Sequence, residues 1–206
     1  SLFKNYLNTN EGDKAVKSMN IVFESPSIDN KIKHRMLNEF LIYTLDKPQY
    51  EANLEKAISY FDNDKDVAVA KEIGKFYQNK KNWDKAITYY EIYLGNNSAD
   101  VETQVLLYHA YAETKQFDIL VKKSENSIDL FPLQPQFYYF AGLANNQLGK
   151  FKKAKDFLEM GLDYLVDDKV LEINFNIQLG EAYNGLGDVK NKELYFSKAD
   201  KLLKQK

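Results

Sequence analysis

The chain has no cysteine, which excludes disulfides, thiolate nucleophiles and cysteine-bound metals and leaves the redox compartment open. It has only two histidines, His34 in KIKHRML and His109 in LLYHAYA, too far apart for a metal pair at helical spacing. Proline is confined to Pro26, Pro48, Pro132 and Pro135, so long windows run without a helix breaker. No apolar run is long enough to span a bilayer. Formal net charge is -2 over 206 residues, so the basic excess that draws a protein to phosphate backbones or anionic lipid is missing. A phosphate-cradling glycine loop, a nucleophile elbow and a zinc-protease motif are also absent. These absences lead us to expect a non-enzymatic chain with no cofactor, no catalytic or metal site and no nucleic-acid partner. The start, SLFKNYLNTN, has neither an initiator methionine nor a basic-then-apolar leader. It reads as the beginning of a fragment of a longer protein, with SLFKNYLN as the tail of a preceding helix.

What is present is aromatic and periodic. Tyrosine (15) and phenylalanine (13) are abundant, and the hydrophobic share is 44%. Apolar residues recur three and four apart, and no alternating strand pattern bounded by hairpin turns is found. The fold class is all-α. Gly74 and Gly142 lie 68 residues apart, twice 34, with Tyr108 midway. Units that begin at Val67, Val101 and Pro135 place Ile73, Leu107 and Ala141 at the seventh position and Gly74, Tyr108 and Gly142 at the eighth. Tyr77, Tyr111 and Asn145 fall at the eleventh, and Trp83, Phe117 and Phe151 at the seventeenth. Ala86, Leu120 and Ala154 take the twentieth, and Tyr90, Ser124 and Leu158 the twenty-fourth. A fourth unit from Ile173 carries Leu179, Gly180, Tyr183, Val189, Phe196 and Ala199.

This pattern resembles the tetratricopeptide repeat, a 34-residue helix-turn-helix unit of the form W-x2-L-G-x2-Y, A-x3-F, P. The resemblance covers about two thirds of the chain, and its sequence is similar to the C-terminal parts of larger bacterial proteins of that family, many of them exported. It implies a right-handed superhelical α-solenoid of antiparallel helix pairs, with units at 67–100, 101–134, 135–172 and 173–206 after an irregular helical region, 1–66, of degenerate repeats or a cap. Export to the periplasm or the outer-membrane surface is favoured over the cytoplasm on the same ground.

The small residue at position eight should let the second helix of a pair approach closely. Tyr108 breaks that rule and should either push its helices apart or be met by the smaller Ser124. The step from Gly142 to Gly180 is 38 residues, so about one extra helical turn is expected around YLVDDKVLEINF. Trp83 is read as a core anchor. Asn82 and Asp188 are read as helix caps, and Gly149 and Gly187 as turn residues at positive φ. The irregular region reads as helices over 13–23, 28–45 and 48–61, with Ser27 capping the second and Pro48 opening the third. His34 is read as a solvated basic-face residue and Lys80, Lys81, Lys150, Lys152 and Lys153 as solubilising turn residues. Asp62, Asp64, Asp66, Asp167 and Asp168 are read as junction carboxylates that favour helix N-termini.

In this family the first helices line a concave groove through positions two, five, nine, twelve and thirteen. The resemblance thus implies Lys71, Lys75, Gln78 and Asn79 in the first unit, and Glu102, Val105, His109, Ala112 and Glu113 in the second. It implies Gln136, Tyr139, Leu143, Asn146 and Gln147 in the third, and Asn174, Ile177, Glu181 and Asn184 in the fourth. His109 reads equally as groove contact or as filler. The two-carboxylate clamp of chaperone-tail binders is not matched: Lys71 fits, while Lys75, Leu106, Gln136 and Phe140 do not. The expected function is a protein-interaction scaffold for a peptide or partner protein. The alternatives are a regulatory or structural arm of a larger enzyme or sensor, and a single-stranded RNA-binding helical repeat, which Glu102, Glu113 and Glu181 oppose. Self-association through exposed solenoid ends is a further expectation.

Overall fold

The computed structural model describes residues 1–64 and 68–205. Asp66 and Val67, used above as a junction carboxylate and as the first residue of a unit, lie outside the described residues. The described residues form helices and turns with no strand. They divide into two compact units, Ser1–Gln104 and Val105–Lys206.

The first unit holds α1 (Leu2–Asn8), α2 (Gly12–Glu24), α3 (Asn30–Thr44), a 3-10 turn over Pro48–Tyr50, α4 (Glu51–Ser59), α5 (Ala70–Asn79) and α6 (Trp83–Asn96). Phe3, Met19, Leu37, Phe40, Ile58, Ile73 and Tyr90 fill its core. Helix α7 (Val101–Glu113) begins in it and continues into the second unit. That unit adds α8 (Phe117–Leu130), α9 (Pro135–Gln147), α10 (Phe151–Leu162), α11 (Lys169–Gly185) and α12 (Val189–Lys204). Its core is Leu107, Leu120, Phe137, Tyr138, Leu158, Phe175 and Leu179. The four extra residues of the 38-residue step lie in α11, which has 17 residues against 13 in α9.

One turn recurs. Asn10, Lys81, Lys115, Gly149 and Gly187 all have positive φ, between 57° and 75°. The residue after each donates its backbone N–H to the carbonyl five positions earlier: Glu11 to Tyr6, Asn82 to Tyr77, Gln116 to Tyr111, Lys150 to Asn145 and Asp188 to Tyr183. This satisfies the orphan carbonyls of the first helix and reverses the chain. Gly149 and Gly187 take the strained conformation freely. The same conformation at Lys81 and Lys115 carries no sequence signal. Asn82, Asp168 and Asp188 then accept the N–H of Lys85, Leu171 and Asn191, capping α6, α11 and α12.

Close approach at the glycines is visible as steric need. A Cβ on Gly74 would lie 2.5 Å from the Tyr90 ring, one on Gly142 2.3 Å from Leu158 Cγ, and one on Gly180 2.5 Å from the Phe196 ring. Tyr108 meets a different partner surface. Its hydroxyl donates to Lys123 O (3.0 Å) and lies 2.6 Å from Ser127 Oγ, while Ser124 is fully buried and donates to Leu120 O of its own helix.

Several expectations are corrected. Asp29, not Ser27, caps α3, accepting from Lys31 N at 2.7 Å; Ser27 pairs with Ser25 instead. The helix read over 48–61 opens as a 3-10 turn, with Pro48 in its first turn, before α4. His34 is not solvated. It is 7% exposed, hydrogen-bonds Asp64 Oδ2 at 2.8 Å and packs beside the Phe61 ring. Lys80 does not merely solubilise a turn: it joins α5 to α4 through Glu51 and Glu55. Trp83 is half-buried at the start of α6 rather than a full core residue.

Candidate functional site

The residues drawn from the repeat register fall on α5, α7, α9 and α11, and they differ in how their polar groups are used. In the first unit they bind each other. Lys71 Nζ lies 3.1 Å from Asp100 Oδ2 and 2.7 Å from Glu102 Oε2, and Lys75 Nζ lies 3.2 Å from Glu102 Oε1. Tyr93 donates to the same Asp100 Oδ2 at 2.9 Å, while Asp100 Oδ1 caps α7 by accepting Thr103 N at 3.0 Å. Burial disfavours the charged form of Asp100, but the bonds from Thr103, Lys71 and Tyr93 outweigh it and hold its carboxyl below the usual range. Burial likewise opposes the Lys71 ammonium, and the bonds to Glu102 and Asp100 raise its pKa nonetheless. Gln78 accepts from Tyr90 Oη at 2.6 Å. This stripe is a closed network that fixes the start of α7 against α5.

On α7, Val105 is half-buried and His109 is exposed, its Nε2 3.9 Å from Glu113 Oε1. The second unit brings α9 and α11 into contact. On α9, Gln136, Tyr139, Leu143 and Asn146 recur at three- and four-residue steps along one stripe, as one face of a helix requires. The Tyr139 ring stands 5.8 Å from Phe175 of α11, edge to face, and burial raises its phenol pKa. Asn146 is 8% exposed and donates through Nδ2 to Gln178 O (2.8 Å) and Gln178 Oε1 (3.0 Å). Its Oδ1 accepts no hydrogen bond, and neither does Gln136 Oε1, among the described residues. Leu143, Asn174 and Ile177 are half-buried, and Glu181 and Asn184 exposed. Gln178, the partner of Asn146, was not among the residues drawn from the register; it lies one position beyond Ile177.

Buried amide acceptors without donors are rare in folded proteins and call for an explanation. Half-buried apolar side chains between them add surface that a partner can cover. Chemically the α9–α11 stripe can accept hydrogen bonds and apolar contacts; it offers no nucleophile paired with a base. No cluster of three or more histidine, aspartate or glutamate side chains that could hold a metal occurs among the described residues. No helix there is long and apolar enough to cross a membrane.

No protein-family model matches the chain, and no curated protein sequence matches it significantly. Solved structures do resemble it. A crystal structure of MamA superposes with a TM-score of 0.67 at 19% identity, covering 82% of this chain and 91% of that one. MamA from Desulfovibrio magneticus RS-1, from residue 41 to its end, gives 0.66 at 18%, covering 84% and 97%. MamA of strain AMB-1 gives 0.63 at 20%, covering 82% and 99%. At such identities the likeness establishes the fold alone: this chain is an all-α helical-repeat protein of antiparallel helix pairs, similar in fold to MamA.

Proposed function

We propose that the chain is a protein-interaction scaffold that binds a peptide or partner protein along the stripe of α9 and α11, without catalysing a reaction. The observation that carries this reading is that Gln136 and Asn146, on one face of α9 with Tyr139 and Leu143 between them, each hold a buried amide oxygen without a donor that a turn of the side chain would present to a partner. Thr103 Oγ1 and Asn145 Oδ1 are also without a partner but belong to fully buried residues. Backbone N–H groups of a bound segment are the donors such a face lacks, and side chains of that segment can cover Leu143 and Ile177. Packing between helix pairs holds the face in place before binding, which lowers the ordering cost of association. The α5 stripe is assigned a structural part, since Lys71, Lys75 and Glu102 neutralise one another. The four units drawn from the register, and the placement of 1–66 as cap or degenerate repeats, belong to this same proposal.

The test is affinity capture from the source cell with the parent chain and a Gln136→Leu/Asn146→Leu variant that circular dichroism shows to be folded. A protein held by the parent and lost by the variant supports the α9–α11 stripe. Equal capture by both rules that stripe out as the binding surface.

A further inference from the structure

The first unit contains a cleft of about 720 Å³ between the C-terminal part of α3, the start of α4 and α5, within the size range of ligand sites. It shares only Lys75 and Asn79 with the positions drawn from the repeat register. Leu41, Leu54 and Phe76 form its apolar lining, and Ile42 and Leu45 stand at its mouth, 61% and 82% exposed. Leu45 is the C-cap residue that follows α3. Two large aliphatic side chains held in water beside an apolar cleft form a patch rather than scattered surface residues.

The rim sets the chemistry of an occupant. Lys47 is bonded to Asp46, Lys80 to both Glu51 and Glu55, and Lys75 to both Glu72 and Glu102. Among the lining residues carboxylates and ammonium groups are equal in number, Asp46, Glu51 and Glu72 against Lys47, Lys75 and Lys80. The carboxylates stand further out: the side chains of Asp46, Glu72 and Glu51 are 82%, 50% and 46% exposed, against 23%, 36% and 30% for Lys47, Lys75 and Lys80. The lysines lie inward over aromatic rings, Lys47 on Tyr43 and Lys80 on Phe76. The cleft thus shows water an apolar floor inside a rim whose outermost groups are carboxylates.

We propose that this cleft docks a partner-protein segment that inserts bulky apolar side chains between α3 and α5 and flanks them with lysine or arginine. The apolar side chains cover Leu41, Ile42, Leu45 and Phe76, and the flanking cations meet Asp46, Glu51 and Glu72. Complementary charge of this kind favours the right partner and speeds its encounter more than it adds to affinity.

The experiment is selection of a displayed library of short peptides with a fixed apolar core and randomised flanks on the intact chain, followed by fluorescence anisotropy on the winners. Enrichment of lysine and arginine in the flanks is expected, with affinity about tenfold weaker for Ile42→Ser/Leu45→Ser and for Asp46→Lys. Because these three side chains are mostly exposed, the variants should fold; matching circular dichroism and thermal melts check this. The Gln136→Leu/Asn146→Leu variant should bind the winners as the parent does, which separates this cleft from the α9–α11 stripe. Acidic or unbiased flanks, no enrichment, or winners indifferent to Ile42→Ser/Leu45→Ser would each overturn the proposal. So would a parent that sediments as a dimer and becomes monomeric on Ile42→Ser/Leu45→Ser, since the occupant would then be a second copy of this chain.

Discussion

Helices α7 and α9 hold the same register place in successive pairs and solve the same contact in opposite ways. In α9 the first helix supplies nothing, Gly142, and the second supplies Leu158, whose Cγ occupies the space a Cβ would need. In α7 the first helix supplies a ring, Tyr108, and the second supplies serines. The Tyr108 ring also packs against Phe137 and Phe140 of α9, at centroid distances of 5.7 and 5.9 Å. Each pair puts one large side chain into the contact, supplied by the second helix in one and by the first helix in the other, as close packing demands. The contrast shows why one tyrosine at a glycine position neither breaks the helix pair nor needs a gap.

The largest effect that can break this contrast is Tyr108→Gly. It removes a buried ring and places glycine in a helix interior, and is expected to cost about 4–5 kcal/mol, measured by urea or guanidinium unfolding. A loss below about 1 kcal/mol would mean that α8 and α9 close over the space. Next is Gly142→Tyr, which copies α7 into α9. With Leu158 in place it should cost about 2–3 kcal/mol by overpacking, and adding Leu158→Ser, which copies α8 into α10, should recover part of it. A double-mutant cycle without coupling would show that the two contacts are not equivalent. Ser127→Ala is smaller. Tyr108 keeps its bond to Lys123 O, so about 1 kcal/mol is expected from the lost hydroxyl pair.

Packing of this kind is legible in a sequence because it is written in side-chain size at fixed spacing. Gly74, Gly142 and Gly180 could be matched to helix approach without coordinates, whereas the serine that the Tyr108 hydroxyl meets is Ser127, one helical turn beyond the expected Ser124. Pairings across long separations were not legible. The lysine and arginine around His34 suggested a wet basic face, whereas its partner Asp64 lies thirty residues on. Lys71, Lys75 and Glu102 read as open groove contacts, yet their charges are closed on each other and on Asp100 from 27 to 31 residues apart. The α3–α5 cleft escaped because ten of its fifteen lining residues come from the region without a readable period. Lys81 and Lys115 hid two recurring turns because a positive φ at lysine has no compositional sign.

The two helices differ in the residues drawn from the register as well, and the smallest stability effect sharpens that difference most. Glu102 of α7 is tied to Lys71 and Lys75, while Asn146 of α9 is bonded through Nδ2 only. Replacing Asn146 with leucine removes its bonds to Gln178, each worth about 1 kcal/mol net, and also removes a buried acceptor whose desolvation costs about 1–3 kcal/mol. The two changes oppose each other, so Asn146→Leu should unfold within about 1 kcal/mol of the parent. Glu102→Leu leaves Lys71 with Asp100, and the exposed carboxylate it removes is worth no more than about 1 kcal/mol. Stability alone will scarcely separate the two variants. Partner capture will: it should fall with Asn146→Leu and hold with Glu102→Leu, because Asn146 keeps an amide oxygen without a donor while the Glu102 carboxylate is already paired with Lys71 and Lys75. If Asn146→Leu instead unfolds several kcal/mol more easily, Oδ1 is satisfied within the folded chain by ordered water, and the acceptor is structural.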